Sequence, residues 1–150
     1  MSPSNNYAAK TETMEKIAAR AEELYREGLN CCESMLKASI EELRLPLPED
    51  TYRLGRFFRE GIAESGCICG ALAGGIMILG YQAGDYKRDL PLAERFRAGF
   101  VGKFGSTCCR VIRRKQSFIG KLWNRECREL TGFSAGLLYE LLNDVGERIE

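Results

Sequence analysis

Seven cysteines and no histidine decide which chemistry this 150-residue chain can carry. The thiols fall into four groups: Cys31-Cys32, Cys67-x-Cys69, Cys108-Cys109 and Cys127. Without an imidazole there is no Cys–His nucleophile pair, no Cys-x-x-Cys-His haem attachment and no His-liganded zinc or iron. Any metal must therefore be held mainly by sulfur. The groups are about 40, 40 and 18 residues apart, unlike the Cys-x2–4-Cys clustering of a zinc ribbon or finger, so a shared site has to be assembled by tertiary folding. Adjacent cysteines make poor disulfide partners, because a vicinal bridge closes a strained ring. For each thiol taken alone the competing reading is a small buried apolar residue.

The elements that must position these thiols read as helices. From Thr11 onward Met14, Ile17, Ala18, Ala21, Leu24 and Tyr25 recur at spacings of three and four, which predicts a helix that Gly28 ends. Asn30 reads as an N-cap that puts Cys31 and Cys32 in the first turn of a second helix running to about Leu43. Cys32, Met35, Leu36, Ser39 and Leu43 share its core-facing stripe, and Cys31 lies about 100° away from it. Pro48-Glu-Asp opens a third helix carrying Tyr52, Leu54, Phe57 and Phe58. A fifth runs from Leu92 to about Phe104, after a charged connection from Gly84-Asp85 to Pro91. Gly105-Ser106-Thr107 reads as the cap of a short helix beginning with Cys108 and Cys109. The final third, from about Lys121 to Ile149, carries Leu122, Trp123, Cys127 and Leu130, then Leu137, Leu138, Leu141, Leu142 and Val145, with Gly132 as its dividing point. Three cysteine groups thus stand at predicted helix starts, where the dipole and unpaired N–H groups favour thiolate.

The fourth helix, within Ser65 to Gly80, is the one the others are built around. Small residues, Gly70, Ala71, Ala73, Gly74 and Gly75, precede bulky Ile76, Met77, Ile78 and Leu79, and a segment apolar on all sides is expected to be buried. Gly70 and Gly74 fall on one face and let another backbone or a cofactor come close. Gly-x-x-x-Gly in apolar sequence is also a membrane packing signal. However, the uncharged run from Cys67 to Tyr81 spans 15 residues, whereas a bilayer crossing needs about 20. No β-alternation, repeat or low-complexity tract appears. The expectation is an all-α, single-domain bundle of about five to seven helices around this central small-residue-rich helix, over residues 11–150, preceded by a mobile polar segment 1–10.

With 22 Lys+Arg against 21 Asp+Glu the net charge is +1, so the balance points away from nucleic acid and anionic membranes. The start, Met-Ser-Pro-Ser-Asn-Asn-Tyr, lacks the basic and apolar runs of a secretory signal, and a reducing, cytoplasmic location is expected. There, seven thiols mean metal binding or redox chemistry rather than structural disulfides. The run Arg110, Arg113, Arg114 and Lys115 reads first as a solvated face. Its place just after Cys109 also suits it to offset thiolate charge or to dock an acidic partner.

Asn30-Cys31 after a glycine-ended helix, Cys69-Gly70-Ala71-Leu72-Ala73-Gly74, Phe104-Gly105-Ser106-Thr107-Cys108-Cys109-Arg110 and the later Cys127 together resemble the C-GCAxxG-C-C family of redox proteins, bacterial or archaeal, over roughly residues 14 to 145. The resemblance implies that Cys31, Cys69, Cys109 and Cys127 are the family cysteines, with Cys109 preferred to Cys108 because it precedes Arg110. The family is similar to the cysteine-bearing domain of split-Soret cytochromes, where an iron–sulfur centre is suggested; the haem part does not transfer. Val-Ile-Arg-Arg-Lys after Arg110 departs from the Leu-Leu-Gly that often follows in the family, and the surroundings of Cys127 match most loosely. Cys32, Cys67 and Cys108 are extra thiols, either additional ligands or small core residues.

The leading expectation is a redox or electron-transfer protein with a 2Fe–2S or 4Fe–4S iron–sulfur cluster on Cys31, Cys69, Cys109 and Cys127, and with Gly70 and Gly74 as close-approach positions. The alternatives are a metal-free thiol–disulfide oxidoreductase and a soft-metal module for zinc or copper without turnover. The partners this allows are a redox partner protein and a second copy of the chain. Neither a substrate nor catalytic turnover follows from the sequence.

Overall fold

The computed structural model describes residues 3–119 and 124–149. Six α-helices lie among them: α1 (Pro3–Arg26), α2 (Cys31–Glu42), α3 (Gly70–Gln82), α4 (Tyr86–Phe104), α5 (Cys109–Arg114) and α6 (Arg125–Ile149), with 3-10 turns at Glu49–Gly55 and Ile62–Glu64. There is no strand among the described residues, and the protein is an all-α bundle. Long helices α1 and α6 pack along each other, α2 lies against both, and α3 sits between α2, α4 and α6. Ile17, Ala21 and Leu24 of α1, Met35 and Leu36 of α2, Leu72 and Ile78 of α3, Phe96 and Phe100 of α4, and Leu130 and Leu138 of α6 form one buried core. Close packing on this stripe, rather than intrinsic propensity, stabilises helices of this length.

Several boundaries differ from those read in the sequence. Helix α1 begins at Pro3, well before Thr11: Thr11 Oγ1 bonds back to the Tyr7 carbonyl at 3.0 Å, and Lys10 pairs with Asp144 of α6 at 2.8 Å. Residues 3–10 therefore extend the helix. The expected third helix is only a 3-10 turn, Glu49–Gly55; Leu54 and Phe57 are 74% and 77% exposed, so their helix-like spacing buries nothing. Asp85, not Pro91, starts α4. Its side chain accepts from Arg88 N at 2.7 Å, while the Asp89 carboxylate accepts from Gly84 N and Asp85 N at 2.9 and 3.0 Å. That capping carries the helix across Pro91. Gly132 does not divide α6; it admits Glu22 of α1, whose Cγ would stand 2.7 Å from a Cβ placed there. Leu122 and Trp123 lie outside the described residues.

The central helix is buried along its small-residue half, Gly70 to Gly75, but Ile76, Met77 and Tyr81 are exposed. The all-round burial expected of α3 therefore holds for one half and one face only. No helix among the described residues is long and apolar enough to cross a membrane.

Candidate functional site

Asn30 anchors one end of the bundle. Its Oδ1 accepts from Glu33 N at 2.9 Å and the Glu33 carboxylate accepts from Asn30 N at 3.1 Å, a reciprocal cap. The Asn30 amide also donates to the carbonyls of Gly55 and Arg56 at 3.0 and 2.9 Å. One buried residue thus starts α2 and ties the 3-10 segment to it. As expected from helical geometry, the two cysteines differ: Cys32 is fully buried in the core, while Cys31 is only partly buried at its edge.

Gly70 and Gly74 bring α3 against this start. A Cβ at Gly70 would stand 2.8 Å from the Phe58 carbonyl, 3.1 Å from Cys32 N and 3.3 Å from Cys31 Cβ; at Gly74 it would meet Met35 Cβ at 2.8 Å and Cys32 O at 3.1 Å. What approaches the small face is the backbone of α2. Cys69 occupies the N-cap position of α3, and its N–H donates to the Thr107 carbonyl at 2.8 Å. Arg110 N donates to the Gly66 carbonyl at 2.9 Å. These two bonds bring the segment before α5, and with it Cys109, to the start of α3.

A cavity of about 170 Å³ opens where the segments meet, bordered by Tyr25, Gly28, Leu29, Asn30, Cys31, Arg59, Glu60, Cys109, Arg113, Asn124 and Cys127. Three of the four cysteines carried over from the resemblance border it. The fourth, Cys69, is buried at 4% exposure and lies close enough that ionisation of Cys31, Cys109 or Cys127 acts on it or is acted on by it. Cys32 stays in the core, and Cys67 and Cys108 lie elsewhere, against each other, their sulfurs 2.8 Å apart. Among the described residues no three Cys, Asp or Glu side chains converge tightly enough to hold a single metal ion.

The expectation that helix starts favour thiolate is overturned at Cys31, Cys32, Cys69 and Cys109. Burial pushes the enclosed Cys31 thiol well up, and the charges of Cys69 and Cys127 push it further, while the Thr131 hydroxyl works the other way. Burial raises Cys69 to about 12, although the N–H groups of Leu72 and Ala71 pull it down and Cys109 and Cys127 push it up. Cys32 is raised to about 12 by burial and by Glu33. Cys109 is raised by burial and by Cys127, against the Arg113 guanidinium, which lowers it. Desolvation and like-charge repulsion outweigh the helix dipole, because the dipole acts at partial charge and the thiols are out of water.

Tyr25 and Arg59 are among the cavity residues that nothing in the sequence marks as belonging to a site. Tyr25 reads as one more core position of α1, and its phenol is raised by burial and then by Cys31 and Cys127. Arg59 donates to the Gly28 carbonyl at 3.2 Å. Of the basic run, Arg113 borders the cavity, bonded to Glu60 at 2.6 Å. Its Arg110, Arg114 and Lys115 neighbours are exposed. Gln116 Nε2 reaches Cys127 Sγ at 3.2 Å.

The family model described as "Putative redox-active protein (C_GCAxxG_C_C)" matches residues 29–141. The chain belongs to that family. The matched span runs from just ahead of Asn30 into the core of α6, so it takes in every residue that borders the cavity except Tyr25 and Gly28. The chain is also 30% identical over 147 residues to an "Uncharacterized protein" of Archaeoglobus fulgidus, covering 89% of this chain and 97% of that one. No solved structure matches.

Proposed function

We propose that this redox-active family member is an electron-transfer protein whose Cys31, Cys69, Cys109 and Cys127 hold one iron–sulfur cluster. The observation that carries the reading is the single cavity bordered by Cys31, Cys109 and Cys127, with Cys69 electrostatically coupled to all three. The donor set is sulfur only, as both 2Fe–2S and 4Fe–4S centres require. A single zinc ion needs its sulfurs about 2.3 Å from one point, and the described thiols are not so tightly gathered. A cluster sets several atoms between its ligands, so a wider ring around a space that would admit several waters suits it better.

When bound, such a group takes up and releases single electrons. The chain's own part is to place four thiols from separate elements around one space and to counter their charge. Four buried or half-buried thiols whose charges push one another's ionisation up are an unfavourable set in the absence of cationic charge, and iron would relieve that repulsion. Arg113, fixed by Glu60, adds a guanidinium at the same wall. Exposed Arg110, Arg114 and Lys115 beside it supply a basic surface for an acidic redox partner protein.

Anaerobic reconstitution with iron and sulfide tests the reading. Brown protein with sulfur-to-iron absorption bands is expected, and serine at Cys31, Cys69, Cys109 or Cys127 should abolish or severely reduce loading. Cys32→Ala, Cys67→Ser and Cys108→Ser should keep it. A colourless wild type without bound iron, or equal loss across all seven variants, would overturn it.

A further inference from the structure

The three thiols outside the family positions are not alike. Cys32 is sealed in the core, but Cys67 is exposed and Cys108 partly so, and their sulfurs meet at 2.8 Å although the residues are 41 positions apart. The backbone on both sides of the contact is already joined. Cys69 N donates to the Thr107 carbonyl at 2.8 Å, and Arg110 N to the Gly66 carbonyl at 2.9 Å. The Arg110 guanidinium adds a bond to the Ser65 carbonyl at 2.6 Å. Each thiol is also held from its own side. The Cys67 carbonyl accepts from Ile62 N at 2.7 Å and from Ser65 Oγ at 2.9 Å, and Cys108 N donates to Ser106 Oγ at 3.0 Å. Cys108 stands at the N-cap of α5, yet its sulfur makes no capping bond, which leaves it for Cys67.

We infer that Cys67 and Cys108 form a reversible surface dithiol–disulfide couple that exchanges two electrons with low-molecular-weight disulfides. Cys67, the more exposed of the two, loses its proton and attacks one sulfur of the external disulfide. That S–S bond breaks, a Cys67 mixed disulfide forms and one thiolate leaves. Cys108, deprotonated in turn, attacks the Cys67 sulfur, closes the Cys67–Cys108 bond and expels the second thiolate. The two departing thiolates take up the two protons, so the dithiol is oxidised, the external disulfide is reduced, and atoms and charge balance. The other five thiols are disfavoured as entry points, being in the core, buried beside the cavity or lining it. The bond would be a covalent clasp between the residue two before Cys69 and the residue next to Cys109, made without separating segments that hydrogen bonds already join.

The couple does not depend on a cluster at the four-cysteine site, and the two proposals are read by different measurements. Full-length protein is equilibrated anaerobically with mixtures of oxidised and reduced glutathione, alkylated and mapped by mass spectrometry, before and after iron–sulfur reconstitution. The expected result is a Cys67–Cys108 disulfide as the first bond formed, two of the seven thiols lost, both regained with dithiothreitol, helical circular dichroism unchanged, and iron content unaffected. Cys67→Ser and Cys108→Ser, each checked for the wild-type helical spectrum, should stop at a single glutathione adduct on the remaining partner. Any other first disulfide, or Cys67 and Cys108 both still alkylated once other thiols have oxidised, overturns the couple. So does persistence of both as free thiols throughout the glutathione series. Absence of iron alone would overturn only the cluster.

Discussion

Gly74 packs on Met35 with no room for a side chain: a Cβ there would stand 2.8 Å from Met35 Cβ and 3.1 Å from Cys32 O. Since the obstacle includes backbone, it cannot be moved by a rotamer change. Gly74→Leu should push α3 from α2, lower stability by about 1–3 kcal/mol or more and spread the thiols that α2 and α3 bring together. Denaturant unfolding and iron content of the variant check both effects. A wild-type midpoint with wild-type loading would show that the small face is incidental.

Asn30 is the second structural test. Replacing it with alanine removes the N-cap and two donated bonds to the 3-10 segment, which together should cost roughly 2–3 kcal/mol. Asn30→Asp keeps the cap but turns a carboxylate oxygen toward the Gly55 and Arg56 carbonyls, so it should be clearly less stable than wild type in urea titrations. An aspartate variant as stable as wild type would mean that the two donated bonds contribute little.

The reduced, metal-free protein should lose stability in alkali. Cys32 and Cys69 are raised from 9.0 to about 12 in the folded state, so the folded chain holds these protons more tightly than the unfolded one. Their contribution is complete below about pH 9 and is lost as pH rises from about 9 toward 12, on the order of 1 kcal/mol per thiol by about pH 10. Urea midpoints at about pH 8 and 10 measure it. Cys32→Ala should show a shallower decline than wild type, and an identical decline would remove Cys32 from the account.

Arg113 lowers the Cys109 pKa from the cavity wall. Arg113→Gln should therefore leave less Cys109 thiolate at neutral pH and slow its alkylation in the metal-free protein a few-fold, whereas Arg114→Gln on the exposed side should not. Residue-resolved alkylation rates decide this, and faster labelling in Arg113→Gln would reverse the assignment.

The parts of this protein that were legible in sequence rest on local rules. Asn30 as an N-cap ahead of Cys31 predicts the start of α2, and the division of Cys31 from Cys32 follows from a rotation of about 100° per residue. The all-α class follows from repeated three-and-four spacing. Where two local signals compete, the reading fails: Pro91 resembles a helix start, but Asp85 and Asp89 cap the helix one and a half turns earlier. Leu54 and Phe57 look amphipathic, but no neighbour covers them. Thiol ionisation is not legible in sequence, because the dipole is a property of one helix, whereas desolvation depends on everything packed around it. The meeting of Cys67 with Cys108 has no local signature at all, since it is made by two loops hydrogen-bonded to each other.

The wide spread of the four thiols along the chain also orders events in time. Cys31, Cys69 and Cys109 leave the ribosome before Cys127, and the wall that Cys127 completes cannot close until α6 has been made and has docked on α1 and α2. Domains assemble during synthesis at about 5–20 residues per second, so the earlier thiols spend at least a second or so as a nascent chain with the cavity open on one side. On the proposed reading, iron and sulfide would be delivered only after synthesis or together with the last helix. A cell limited in reducing power would meet its risk of wrong pairing in this interval rather than in the finished protein.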